Sequence, residues 1–224
     1  MERVNVFVDG FNFYYGLKDM KKIDREWQKF YWLDYVKFFS HFIGSGQELQ
    51  KVIYFAAEPP PPEPPTLGSN QGRLRQKLLF NVNKAINGSR FELVMGKFLR
   101  KTLTCKVCRT QYTAYEEKNT DVNIATRLLS DCTLNNADTF ILVTADSDLI
   151  APLKFIRQHY PTKKLRIYFP PGNISSVLDV FMKDYGKPVI RLERSKPKFE
   201  KSIMPDIVTV GRKTYTVPTK WKGV

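Results

Sequence analysis

The chain has 224 residues, 42% of them hydrophobic and 26% charged, and its 36 Lys and Arg against 22 Asp and Glu give a net charge of +14. That length allows one substantial core with an appended segment, while the lack of any apolar run of about 18 residues excludes a membrane-spanning helix. Three cysteines, an odd number, argue against a disulfide framework, and the positive balance favours a polyanionic partner, although charge alone also describes a basic protein with no specific ligand.

Residues 3–9 alternate and then turn wholly apolar, the pattern of a first sheet strand with Asp9 at its C-terminal end. An opening strand in place of a basic and apolar leader leads to the expectation of a cytoplasmic protein. Gly10-Phe11-Asn12 reads as a strand-to-helix turn in which glycine lets backbone approach a ligand and Asn12 caps the next helix; a plain capped turn accounts for both equally well. Asp34 is a good N-cap for a helix whose Tyr35, Phe38, Phe39 and Phe42 recur at i, i+3, i+4 and i+7 up to Gly44. Helical spacing makes that aromatic stripe core.

A second strand, 51–56, runs into Glu58 and six prolines within 59–65, which can continue neither a sheet nor a helix and read as a polyproline II loop. Leu74, Leu78, Val82 and Ile86 then repeat at i+4 in a helix closed by Asn87-Gly88. Arg73, Lys77 and Lys84 share its other face, suited to phosphates or simply solvated. A short strand at 91–95 leads into a strongly basic stretch holding Cys105-Lys-Val-Cys108, a spacing that suits half a tetrahedral Zn²⁺ site. Completing it requires His, Asp or Glu from elsewhere, or the same pair from a second subunit in a homodimer.

Asn119 or Thr120 caps a helix with Val122, Ala125, Leu129 and Cys132 as its buried face, and Asp121 stands in its first turn, where it also complements the helix dipole. Lys118, just before, meets a phosphate or pairs with Glu116 or Glu117. At 140–143 an apolar, β-branched run has the character of a buried parallel strand and leads directly into Thr144, Asp146, Ser147 and Asp148. Pro152 fits only a first helical turn, so 145–150 form the connection. A fifth strand, 165–169, and a helix from Ser175 or Ser176 with Val177, Val180 and Phe181 inward complete a domain over 1–186. Residues 187–224 form a basic C-terminal extension, with 207–217 resembling a small β-hairpin.

Alternating strands and helices predict an α/β fold with a mainly parallel sheet. Asp9, Asp121, Asp146 and Asp148 then lie at strand ends and a helix start on one sheet edge, the edge where ligands bind in open α/β sheets. Each alone is an ordinary cap or turn residue. Together they would repel unless a cation neutralised them, and hard oxygen donors without histidine point to Mg²⁺ or Mn²⁺. His41 and His159 lie far in sequence from every acid. With the positive surface, a phosphodiester in nucleic acid is the expected substrate.

Three stretches, Val8-Asp9-Gly10-Phe11-Asn12, Glu117-Lys118-Asn119-Thr120-Asp121-Val122 and Val143-Thr144-Ala145-Asp146-Ser147-Asp148-Leu149, resemble in order the signatures of NYN-domain proteins, PIN-like ribonucleases of the LabA-like type. The resemblance covers roughly residues 3–185. It implies a PIN-like three-layer α/β/α sandwich and a Mg²⁺- or Mn²⁺-dependent ribonuclease that hydrolyses RNA. By matching position Asp9, Asp121 and Asp146 would be metal ligands and Asp148 a further ligand or water-orienting carboxylate. Asn12, Thr144 and Ser147 would be polar supports, with Asn12 counted among the catalytic residues; independently of the resemblance, Lys118, Arg73 and Lys77 are candidate substrate contacts by their charge. Asn119 stands where the family often has glycine. An RNA-binding regulatory module with the same fold and little turnover is the alternative; a phosphatase is disfavoured because Phe11 stands where a second acid is needed.

Overall fold

The computed structural model describes residues 1–60 and 70–222. Seven strands form one sheet in the order β4-β3-β2-β1-β5-β6-β7: β1 (Glu2–Asp9), β2 (Gln47–Ala57), β3 (Phe91–Thr104), β4 (Gln111–Lys118), β5 (Thr139–Val143), β6 (Lys164–Phe169) and β7 (Ile190–Arg191). All neighbours are parallel except β3 and β4. Strand β1 lies centrally, and successive side chains feed opposite cores, Val4, Val6 and Val8 on one face and Phe7 on the other. Helices α1 (Gly10–Ile23), α2 (Tyr35–Ser40), α3 (Gln71–Asn87) and α7 (Lys196–Glu200) cover the first face; α4 (Thr120–Thr133), α5 (Ile150–His159) and α6 (Ser176–Asp184) cover the second. This is the three-layer α/β/α sandwich with a mainly parallel sheet. Among the described residues no helix is long and apolar enough to cross a membrane. The polyproline II expectation lies, from residue 61 on, outside the described residues.

Several local expectations are corrected. The short strand predicted at 91–95 continues to Thr104 and folds back as β4, so the basic stretch is an antiparallel hairpin with Cys105 and Cys108 at its tip. The break falls at Gly96, the last residue paired with β2. A Cβ there would sit 2.7 Å from Thr120 Oγ1 and 2.9 Å from Lys118 O, so only glycine lets the start of α4 close against β3. That contact sets the rotation of α4. Thr120, Ile124, Leu128 and Cys132 face inward, whereas Val122, two residues on from Thr120, points to solvent. In α6 the inward residues are Leu178, Phe181 and Met182, and Val177 and Val180 are exposed. Helix α3 buries Leu79, Phe80, Val82 and Asn83 and leaves Leu74 outside, because Asn83 anchors it by donating to Leu33 O and accepting from Tyr35 N. Asp34 caps α2 as expected, but the helix ends at Ser40 rather than near Gly44.

Packing is continuous across residue 186. Strand β7 extends the central sheet, and Leu192, Phe199, Met204, Val217 and Trp221 are buried in the same core as β1 and α1. Residues 207–216 pair as an antiparallel hairpin, β8 (Ile207–Val210) with β9 (Lys213–Thr216). Phe199 is fully buried, its ring centroid 4.2 Å from Phe38, 5.1 Å from Phe30, 5.3 Å from Trp27 and 6.3 Å from Phe13. Replacing it by Ala is therefore expected to destabilise the chain by about 3–5 kcal/mol, a Tm fall of roughly 6–20 °C. A loss below about 1 kcal/mol in urea unfolding would show that the tail is dispensable to the core.

Candidate functional site

Parallel register brings the first two acidic segments together. Val8 pairs with Val143, so Asp9 and Thr144 leave the sheet side by side. Asp9 is almost wholly buried and, instead of being capped by Asn12, is itself the N-cap of α1. Its Oδ1 accepts from Asn12 N (3.0 Å), and its Oδ2 accepts from Asn12 Nδ2 (2.6 Å) and Thr144 Oγ1 (2.8 Å). Three of a carboxylate's roughly four acceptor positions are thus filled. Asn12 also accepts from Ala145 N at 3.3 Å and is held from outside by Asn173, which donates to its carbonyl. Thr144 Oγ1 in turn accepts from Asp146 N (3.0 Å), and Asp146 Oδ1 accepts from Asp148 N (2.9 Å). One hydrogen-bonded thread therefore joins α1, β5 and the turn before α5.

The third segment enters from the β3–β4 hairpin. Asn119, at φ 78°, turns the chain sharply, and Glu117 caps α4 by accepting from Thr120 N (3.2 Å) and the Thr120 hydroxyl. Asp121 follows in the first turn. Partial burial of its carboxyl, with the like charges of Asp146, Asp9, Glu117 and Asp148 around it, pushes Asp121 up to about 6. Burial likewise raises Asp9, with Asp146 adding to the effect, against the pull of its hydrogen bonds to Asn12 and Thr144. Asp9, Asp121, Asp146 and Asp148 thus share one electrostatic environment, and among the described residues none of them is in an ion pair. Glu117 is a fifth acid that the sequence reading left aside. Only strand parity separates it from Glu116, which turns to the other side and pairs with Lys101 and Lys118.

The remaining predicted site residues are more dispersed. Lys118 is engaged by Glu116, and Arg73 by Glu58 at 2.8 Å, so neither presents a free charge. Lys77 is exposed on α3, and among the described residues no hydrogen bond fixes the Ser147 side chain. At the hairpin tip Cys108 Sγ lies 3.4 Å from Thr110 Oγ1, and hydrogen bonding from Thr110 and Cys105 lowers its thiol to about 7. Among the described residues no third zinc donor joins the pair.

The acidic donors are all oxygen, the chemistry of a hard divalent cation. As they stand, however, no three His, Cys, Asp or Glu among the described residues are gathered closely enough to enclose a metal. Mg²⁺ is commonly held through one or two carboxylates, with water and phosphate oxygens completing its shell, and this donor set fits that open mode.

A family model described as NYN domain matches residues 3–181. The chain is 26% identical over 187 residues to 6-hydroxy-3-succinoylpyridine 3-monooxygenase HspA of Pseudomonas putida (strain DSM 28022 / S16), a match covering 70% of this chain and 56% of that protein. Among solved structures it resembles a protein of unknown function from Vibrio parahaemolyticus RIMD 2210633, with a TM-score of 0.53 and 19% identity over 85% of this chain and 93% of that one. That second likeness is one of fold alone.

The crowding of acids has a measurable sign. Asp121 binds its proton more tightly folded than unfolded, so between about pH 4 and 6 stability falls as pH rises, and the cost persists above pH 6. Because Asp121 is exposed as a residue, screening reduces the cost to about 1 kcal/mol. Asp121→Asn is expected to raise Tm by about 2–4 °C at pH 7.5 and by nothing at pH 4. A variant less stable than the parent at pH 7.5 would contradict the clustering.

Proposed function

The chain belongs to the NYN-domain family, which is nuclease-like, and from that premise we propose that it is a Mg²⁺- or Mn²⁺-dependent ribonuclease acting at the Asp9, Asp121, Asp146 and Asp148 cluster. The observation that carries this reading is four uncompensated carboxylates converging at the C-terminal edge of a parallel sheet in a chain of net charge +14. Asp121 and Asp146 would hold the cation, with the remaining acceptor position of Asp9 behind them and Asp148 as a further ligand or water-orienting group. When bound, such a cation neutralises phosphate oxygens and lowers the pKa of water.

The chain's own residues do the positioning. Asn12 and Thr144 fix the Asp9 carboxylate, and the Asp148 amide fixes one oxygen of Asp146, the other having no hydrogen bond among the described residues. Glu117 locks the start of α4 and so the direction from which Asp121 enters. Lys97, Lys106 and Arg109 on the β3–β4 hairpin supply positive charge for a phosphate backbone, in a salt-sensitive way. Lys77 could add to it from α3.

A second reading, an RNA-binding module with little turnover, is favoured by the absence of a preassembled three-donor cluster among the described residues. The activity in the name of the Pseudomonas putida relative belongs to a protein that this chain matches over 56% of its length.

Labelled single-stranded RNA incubated with Mg²⁺ or Mn²⁺ is expected to be cleaved by the unmutated chain and at least 100-fold more slowly by Asp146→Asn, of the order lost with a group of the catalytic machinery. Either cation should also raise Tm at pH 7.5, and less so at pH 5, where Asp121 is protonated. Equal cleavage by both proteins would remove the site, and binding without cleavage by either would favour the second reading.

A further inference from the structure

Beside the acidic cluster lies a cavity of about 530 Å³, within the size range of small-molecule sites, which the reaction as described does not use. Gly10 and Phe11, the residues that follow Asp9, form part of its wall. Helix α1 is amphipathic in an unusual sense. Phe13, Gly16 and Leu17 pack inward, Leu17 also reaching the cavity, while Phe11, Tyr14, Tyr15, Lys18 and Lys21 line the cavity from the more exposed side of the helix at helical spacing.

The aromatic groups there are neither packed away nor isolated. Tyr14 and Tyr15 are 46% and 48% exposed, which is costly surface for α1 to leave uncovered. The Phe11 ring is stacked 6.2 Å from Tyr15 and meets Phe98 of β3 edge-on at 5.8 Å. Tyr14 abuts Tyr31, which stacks in turn on Trp221 at 5.9 Å. These rings line a cleft in which Tyr14 and Tyr15 are the most exposed, next to the buried Tyr35 and Tyr54.

Charge narrows the choice of occupant. Among the described residues Lys18, Lys21, Arg75 and Lys220 line the cavity, no acid does, and none of the four is in an ion pair. Lys18 instead lies over the Tyr15 ring at 5.3 Å. Flat heteroaromatic rings bearing negative charge are complementary to such a lining. A nucleotide has that chemistry, and Asp9 of the acidic cluster directly precedes Gly10 of the cavity wall in the chain.

We infer that this cavity takes one unpaired nucleobase of the RNA strand, with the cations on its flanking phosphates, so that the protein selects single-stranded over duplex RNA. The inference rests on the ribonuclease reading for what happens to the strand, but not for the binding itself. A base inside a duplex is stacked and paired, and its π faces are closed to Tyr14 and Tyr15.

The test is fluorescence anisotropy with a labelled 12-nucleotide single strand and the corresponding duplex, in the Asp146→Asn background so that affinity is read without cutting. Tyr15→Ala is expected to weaken single-strand binding by about 5-fold or more, the lower range for loss of one base–aromatic stack, and to leave duplex binding within 2-fold. Tyr15→Phe, which keeps the ring, should retain single-strand affinity. Tyr15 is half exposed, so the fold should tolerate both changes, with Tm as the control. Unchanged single-strand affinity in Tyr15→Ala, or an equal loss for single strand and duplex, overturns the inference. So does a cavity that binds pyridine-3-carboxylate but not adenosine or uridine monophosphate, since its ligand is then a free heteroaromatic acid. Single-strand selectivity without RNA cleavage by the unmutated chain would remove the ribonuclease reading alone; cleavage without the Tyr15 effect would remove the base site alone.

Discussion

A carboxylate buried at the end of the central strand must be satisfied or it will not stay charged, and much of the structure around the site follows from how Asp9 is satisfied. Its partners come from α1, through Asn12, and from the exit of β5, through Thr144. The same two residues carry the next links: Asn12 receives the Ala145 amide and Thr144 receives that of Asp146. Satisfying one buried carboxylate thereby orients a second. A buried acid without those donors would cost several kcal/mol or take up a proton.

Close backbone approach does for Asp121 what hydrogen bonding does for Asp146. Gly10 and Gly96 occupy points where a Cβ would overlap neighbouring atoms, 2.3 Å from Phe55 O in the first case and 2.7 Å from Thr120 Oγ1 in the second. They let α1 and α4 begin tight against the sheet, so three acidic segments far apart in the chain reach one edge. Burial, with the repulsion of the neighbouring acids adding to it, raises Asp121. The residues that follow Asp9, Gly10 and Phe11, enter the wall of a cavity whose charged lining, among the described residues, is cationic.

The sheet's two faces are held differently. One, under α4, α5 and α6, mixes aliphatic side chains with the stacked rings of Phe7, Phe55 and Phe140. The other is dominated by aromatic rings drawn from α1, the segment at 25–31, α2 and the chain's last forty residues, with Phe199 at their centre. Because Tyr31 and Trp221 belong to both this core and the wall of the cavity, the C-terminal residues contribute to the cavity's shape as well as to stability.

Much of this was legible in the chain's own order of residues. Strands β1, β2, β5 and β6 announce themselves as apolar runs, because a parallel strand is buried on both faces, and Asp9, Asp121 and Asp146 follow or precede elements whose type is set by local chemistry. Their convergence could be anticipated because parallel strands bring their C-terminal ends to one edge. Helix rotation was a different matter. Spacing alone places Val122, Val177 and Val180 inward, yet each points outward, since an amphipathic pattern with several apolar residues leaves the choice of face to its neighbours. Glu117 and Glu116 are equivalent in sequence; the β3–β4 pairing, a contact across the hairpin, sends one to the site and the other to lysines. The ring-lined cavity depends on residues from 10 to 221 meeting in space, and no local signal specifies such a meeting. Sequence alone therefore determined which chemical groups stand at the ends of which elements; tertiary packing decided which of them face one another, because that is settled by long-range contacts.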